Sequence, residues 1–159
     1  MARVENMDAG FLVRQVRPGD IRHVIGLDER VTGLAKPAYW QEVFERYGKA
    51  GTEDRHFLIA EPNGAGSDFA LLGFIIGEVR AWEFGSAPCG WVFALSVEPK
   101  ARLHGIGHRL FRATAAEFAK AGVKTMRTMV ARDNRLHLMF FRGEGMTAGP
   151  YIQLERDIE

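Results

Sequence analysis

Residues 11–17 (Phe-Leu-Val-Arg-Gln-Val-Arg) alternate between apolar and polar well enough to predict a short strand. Pro18-Gly19-Asp20 breaks it, and Asp20 is placed to N-cap a helix that turns Ile21, Val24, Ile25 and Leu27 inward. Gly33 and Pro37 mark residues 31–39 as a loop, and a second helix is expected over 39–47. Strands are expected at 56–60 and 69–79, separated by the turn-forming run Pro62-Asn63-Gly64-Ala65-Gly66-Ser67-Asp68. After a turn at 83–90, residues 91–97 are almost wholly apolar, the pattern of a central strand buried on both faces. From Ile106 onward, Leu110, Ala113, Thr114, Phe118 and Ala121 recur at helical spacing until Gly122 stops the helix. The rest predicts a strand at 125–130, a short helix at 135–142, and a terminal hairpin or pair of strands at 146–157.

The order β-α-α-β-β-β-α-β-α-β(-β) describes a mixed α/β fold on one sheet. Strands 91–97 and 125–130 flank a helix, so a right-handed parallel crossover should join them. With no repeat or linker in view, the reading is a single domain over 11–159 behind a flexible arm at 1–10.

Composition narrows the class. A 159-residue chain that is 47% hydrophobic and 26% charged buries one substantial core and is neither disordered, collagenous nor coiled coil. No stretch is apolar for long enough to cross a membrane, and the N-terminus lacks the apolar run of a signal peptide. The single cysteine, Cys89, forms no internal disulfide and anchors no cysteine-rich zinc site, so a reducing cytoplasm is the expected location. The net charge of +1 hides an asymmetry: residues 99–142 hold ten Lys or Arg and two acids, leaving −7 on the remainder. One end is thereby suited to an anion and the other to a cation. Nucleic acid fits poorly, because the basic segment contains no strand of alternating aromatic and basic residues.

The basic segment contains the most informative stretch, Val97-Glu98-Pro99-Lys100-Ala101-Arg102-Leu103-His104-Gly105-Ile106-Gly107-His108-Arg109-Leu110. A buried strand ends, a loop with two glycines follows, and a long helix begins. Glycines permit positive φ and close approach of a ligand, and the first N–H groups of the helix point at one spot with the positive end of its dipole. That combination makes an anion nest, although two glycines easing a tight turn would read the same way. No Gly-Lys-Ser/Thr follows, which excludes a P-loop.

Arg102-x-x-Gly105-x-Gly107 after a strand and before a helix resembles the acyl-CoA-binding signature of the GCN5-related N-acetyltransferase (GNAT) superfamily. Asn134 after the next strand, Phe140-Phe141 on the following helix and Gly145-Met146 before the end continue the likeness over residues 11–157. It implies the GNAT acyl-CoA N-acyltransferase fold. Leu95, Ser96 and Val97 would lie along the pantetheine arm. Arg102, Leu103, His104, Gly105, Ile106, Gly107 and His108 would cradle the pyrophosphate. Asn134 would contact the cofactor arm, a role that stands beside the simpler one of capping the helix at Arg135. The implied function is acetyl-CoA-dependent N-acetylation of a primary amine (a small molecule, polyamine or protein amine) by direct attack in a ternary complex, with no metal. The alternative is a catalytically weak acyl-CoA-binding sensor or scaffold. A homodimer is left open.

Two departures bear on mechanism. Phe141 stands on the cofactor side where many members carry a Tyr able to protonate the leaving thiolate, and Met129 replaces a Glu found in some. A base is then sought elsewhere. If strands 69–79 and 91–97 pair antiparallel with partners summing to about 171, Glu78 lies across from Phe93, on a face shared with Phe74 and Ile76. Glu78 is accordingly the catalytic candidate, with pairing to Arg80 as the plain alternative and Glu83 and Ser96 as runners-up. Cys89 in a turn and His137 on the short helix read as structural residues, while His104 and His108, four residues apart without a third metal ligand, read as phosphate-side or surface residues. Tyr39 and Trp40 sit where the family varies acceptor recognition, but Trp40 suits a core equally well.

Overall fold

A computed structural model describes residues 10–49, 51–64 and 66–159. All but Gly10 of the expected N-terminal arm lies outside the described residues. The strands are β1 (Phe11–Gln15), β2 (Arg55–Pro62), β3 (Gly73–Arg80), β4 (Cys89–Val97) and β5 (Met126–Thr128), and the helices are α1 (Ile21–Thr32), α2 (Pro37–Tyr47), α3 (Ile106–Lys120) and α4 (Arg135–Gly143). The strands form one sheet in the order β1-β2-β3-β4-β5, antiparallel throughout except for the parallel β4–β5 pair. The chain divides into two compact units, Met1–Met129 and Val130–Glu159. The expected mixed α/β sheet is present, with α3 as the crossover between its parallel strands.

Period-two alternation distributes the first unit's core over both faces of the sheet. Phe57, Ile59, Phe74 and Ile76 pack with Val24 and Leu27 of α1 and Trp40 and Val43 of α2. On the opposite face His56 meets Phe118 of α3 edge-on at 5.7 Å between rings. Phe118 presses so closely on the sheet that a Cβ at Gly90 would lie 2.2 Å from its ring. A side chain there is excluded, and the close packing of α3 depends on that glycine. The strand buried on both faces is β3, whose Gly73–Gly77 stretch is wholly buried, rather than β4, where Phe93, Ala94, Ser96 and Val97 are half-exposed. β3 has long neighbours on both sides, whereas β4 pairs with β5 over three residues.

Several helix ends are as expected. Gly122 (φ 78) closes α3, with Val123 N–H bonding Phe118 O and Gly122 N–H bonding Ala119 O. Asp20 differs. Its side chain makes no cap bond to α1 but accepts from Arg17 N–H at 2.7 Å and from both terminal nitrogens of Arg14 at 2.7 and 2.9 Å. Arg14 also bonds Glu61 at 2.6 Å, so one guanidinium ties β1 to β2 and to the start of α1. The loop expected at 31–39 is shorter than it looked, because α1 runs to Thr32 and Pro37 opens α2 as its first residue, where a missing N–H costs nothing.

In the second unit, Asn134 caps α4 by accepting from His137 N–H at 3.1 Å. Gly145 (φ 86) ends the helix, with Met146 N–H on Phe141 O and Gly145 N–H on Arg142 O. The expected terminal strands at 146–157 are not formed, and that stretch has no regular structure. Gly149 and Pro150 interrupt it, and an apolar segment becomes a strand only where a partner edge completes its hydrogen bonds.

Burial opposes the ionised form of Asp20, but the bonds from Arg14 and Arg17 outweigh it and hold the carboxyl below its ordinary range. A group with a depressed folded-state pKa stabilises the fold above its unfolded value, about 3.9, and loses that contribution as pH falls through the folded value. Asp20→Asn should therefore melt below wild type at pH 6, and the gap should narrow as pH falls below about 3.9, the unfolded value; thermal melts over a descending pH series check this.

Candidate active site

The site begins where β4 leaves β5. The parallel pairing covers Gly90↔Met126, Trp91↔Arg127 and Val92↔Thr128, and β4 then runs on to Val97. On the β3 side the register slips by one between Ile76↔Ala94 and Gly77↔Val92, leaving Phe93 as an extra residue. This β-bulge bends β4 and strengthens its twist where it parts from β5. Among the described residues no strand pairs with β4 beyond Val92 on that side, so the backbone of Leu95, Ser96 and Val97 lies along an open edge.

That edge leads into the Gly-containing loop. Glu98, only 2% exposed, ends the strand: its N–H bonds Leu72 O at 2.8 Å and its carboxylate accepts from Arg30 of α1 at 2.8 and 2.9 Å. Pro99–Ala101 form a single 3-10 turn, Arg102 is extended and half-buried, and Leu103 then adopts φ 68 with its side chain wholly exposed. A leucine in the left-handed region is uncommon, and such strain gathers at functional loops. His104 folds back with Nδ1 2.9 Å from Arg102 O. Gly105 (φ 76) makes the final left-handed step into α3, where the N–H groups of Ile106 and Gly107 have no acceptor within the helix. Of the two glycines only Gly105 uses positive φ. Gly107 lies in the first helical turn, so its value there is the absence of a side chain.

Some of the nearby positive charge serves the fold. Arg109 donates to Phe11 O at 3.2 Å and stacks over the Phe11 ring at 4.4 Å, and Arg127 donates to Ser86 Oγ at 2.6 Å.

Glu78 sits across from Trp91, not Phe93: β3 runs to Arg80 and β4 already begins at Cys89, so a connection shorter than expected shifts its partner by two residues. It keeps the face of Phe74 and Ile76, toward α2. Arg80 donates to Oε1 at 3.1 Å, as the plain reading had it, while the Tyr47 hydroxyl donates to Oε2 at 3.1 Å. Arg80 also stacks over Trp91 at 4.6 Å and lies 3.9 Å from Glu83, itself in the exposed β3–β4 turn. The Tyr47 ring packs edge-on against Phe93 at 4.9 Å and carries Arg55 over it at 5.5 Å. A carboxylate, a phenol and an arginine thus stand beside the bulge.

Other candidates separate from this cluster. Cys89 is buried, paired in register with Arg80. Trp40 is buried against Phe74 and donates its indole N–H to the buried Asp28 at 2.9 Å, whereas Tyr39 is exposed. Phe141 is buried, and its ring contacts those of Phe140 and His137. His108 is exposed at the start of α3. Among the described residues no group of three or more His, Cys, Asp or Glu stands ready for a metal, and no helix is long and apolar enough to cross a membrane. Tyr47 and Arg30 escaped the sequence reading. The one available signal for Tyr47 was its place on the inward stripe Trp40, Val43, Phe44, Tyr47, where a hydroxyl ends an apolar row.

Residues 24–143 match the acetyltransferase (GNAT) family. The chain belongs to that family. Membership makes it an N-acetyltransferase with acetyl-CoA as co-substrate. No curated protein matches it in sequence. Among solved structures it is similar to the aminoglycoside N-acetyltransferase AAC(6')-Iy in complex with CoA, at TM-score 0.78 and 17% identity over 96% of this chain and 97% of that one. A transcriptional regulator from Bacillus halodurans C-125 follows at TM-score 0.72 and 14% identity over 93% and 99%. The aminoglycoside acetyltransferase meta-AAC0020 from an uncultured soil metagenomic sample, solved with sisomicin, gives TM-score 0.71 and 14% identity over 96% and 99%. At these identities the structures establish a shared GNAT fold. That an acetyltransferase and a regulator both carry it shows how little the fold alone says about the acceptor.

The expectation that this GNAT loop cradles a pyrophosphate has a direct test. Gly107→Val places a branched side chain over the first-turn N–H groups and should weaken acetyl-CoA binding at least tenfold, about 1.4 kcal/mol. Calorimetric titration of a variant with wild-type circular dichroism checks it, and undiminished affinity would remove the loop from the cofactor site.

Proposed function

We propose that the enzyme transfers the acetyl group of acetyl-CoA to a primary amine by direct attack, along the β4 edge and with Glu78 as the base. The parting of β4 from β5 at Phe93 carries this reading. It offers a strand edge for pantetheine amides, and that edge ends in a loop whose left-handed residues and helix N-terminus suit a pyrophosphate. Leu95, Ser96 and Val97 line the arm, and Arg102 through His108 surround the phosphates.

In the reaction the amine nitrogen attacks the thioester carbonyl, whose oxygen β4 N–H groups polarise. The C–S bond then breaks and CoA leaves as a thiolate. With a thiol pKa near 8.5, judged by cysteine, that group departs without an acid, so Phe141 need supply no proton. The amine's proton passes to Glu78 directly or through a water. At pH 7 an amine with pKa about 10.4 is almost wholly protonated, so this transfer is the demanding step. The buried Cys89 agrees with a reducing cytoplasm as the location. The acetyl-CoA-binding sensor is the second reading, favoured by Phe141, which is buried and has no proton to give.

The aminoglycoside acetyltransferases among its structural relatives justify including such amines in an acceptor panel. Thiol release from acetyl-CoA with sisomicin, spermidine, lysine and a short peptide with a free α-amine separates the readings: an enzyme releases CoA with at least one, whereas a sensor binds acetyl-CoA and releases none. With the fastest acceptor, Glu78→Gln should lower turnover roughly tenfold at pH 7 while acetyl-CoA affinity holds, and the deficit should shrink toward pH 9.5 as the amine deprotonates in solution. Wild-type turnover in Glu78→Gln at pH 7 would take Glu78 out of the mechanism.

A further inference from the structure

The carboxylate of Glu78 is divided between two donors from two elements. Arg80, two residues on in β3, holds Oε1, and Tyr47, the last residue of α2, holds Oε2, each at 3.1 Å. Arg80 has the stronger claim, since a guanidinium prefers to take both oxygens of a carboxylate in a paired fork. Among the described residues the Tyr47 hydroxyl alone bonds Oε2 and keeps it on the α2 side, and the same ring rests on Phe93, the extra residue of the bulge. The other charged groups acting on this pair are Arg55, opposite Glu78 in β2 and stacked over Tyr47, Arg46, the residue before Tyr47 in α2, and Glu83 beyond Arg80.

We infer that Tyr47 is a positioning residue. Its hydroxyl holds the Glu78 carboxylate off a closed ion pair with Arg80 and aims it at the bulge, where the amine meets the thioester. The inference rests on the proposed role of Glu78 and adds to it a named reason why a carboxylate beside an arginine stays available as a base. Burial first, and then the neighbouring carboxylate, raise the Tyr47 pKa above its usual value near 10, so the phenol remains a donor across the working pH range. Nothing covalent happens at Tyr47, and the proton from the amine ends on Glu78.

The test is Tyr47→Phe, which keeps the ring, its contacts with Phe93 and Arg55, and the volume of the site. With the fastest acceptor of the panel, kcat should fall roughly tenfold at pH 7 while KM for acetyl-CoA is unchanged. The deficit should shrink toward pH 9.5 in parallel with that of Glu78→Gln, because both variants impair the same proton transfer. In a Glu78→Gln background the second substitution should cost little more, whereas a merely structural role would add its full loss in either background and at every pH. A Tyr47→Phe enzyme with wild-type turnover, or a loss that is independent of pH and additive with Glu78→Gln, overturns the inference while leaving Glu78 as base. Wild-type turnover in Glu78→Gln itself overturns the base and this inference together.

Discussion

The three-residue pairing of β4 with β5 is the constraint from which the site follows. A parallel partner along the whole of β4 would satisfy its backbone and leave nothing for a ligand amide. Because the ladder stops at Val92, the remaining N–H and C=O groups on that side form an edge of the kind that proteins elsewhere cover or twist away. Here the bulge at Phe93 supplies the twist, two residues from Trp91, the partner of Glu78 in the register set by the β3–β4 turn. The open edge and the proposed base thus meet beside one irregularity.

The loop that continues this edge is held from behind by buried charge. Glu98 is anchored through its own N–H to Leu72 and through its carboxylate to Arg30 of α1, so the strand's exit and the first helix are fixed together. A second buried carboxylate, Asp28, binds both the Trp40 indole and Lys36 and sets the α1–α2 connection. Buried carboxylates are tolerable only with partners of this sort. They make the helices on one face of the sheet a rigid support for Tyr47. The opposite face relies on shape instead, with Phe118 lying where Gly90 leaves room for it.

Much of this fold could be read from the chain because its local signals are strong. The stripe of α3, its stop at Gly122 and the turn at Pro18-Gly19-Asp20 each follow from the chemistry of a few adjacent residues. The GNAT loop was legible for the same reason: Gly105 serves a left-handed step that few other residues take. Two local readings went differently. Asp20 found a better partner in Arg14 than in the start of α1. The terminal segment at 146–157 has strand-like composition but no regular structure, since strand formation depends on a partner that composition does not provide.

By itself, then, the sequence determined the order of helices and strands up to α4, the place of the Gly-containing loop between β4 and α3, the absence of a phenol at Phe141 and the presence of an acid on an apolar face at Glu78. These are properties of neighbours within a turn or two, where period and residue type suffice. Only the tertiary structure decided that Glu78 faces Trp91, that β3 and not β4 is the fully buried strand, that Glu98 is paired with Arg30, and that Tyr47 reaches the carboxylate. Each of these depends on contacts between residues far apart in the chain, and the register of a strand pair cannot be counted from sequence until the length of its connection is known, because each residue gained or lost there displaces every partner.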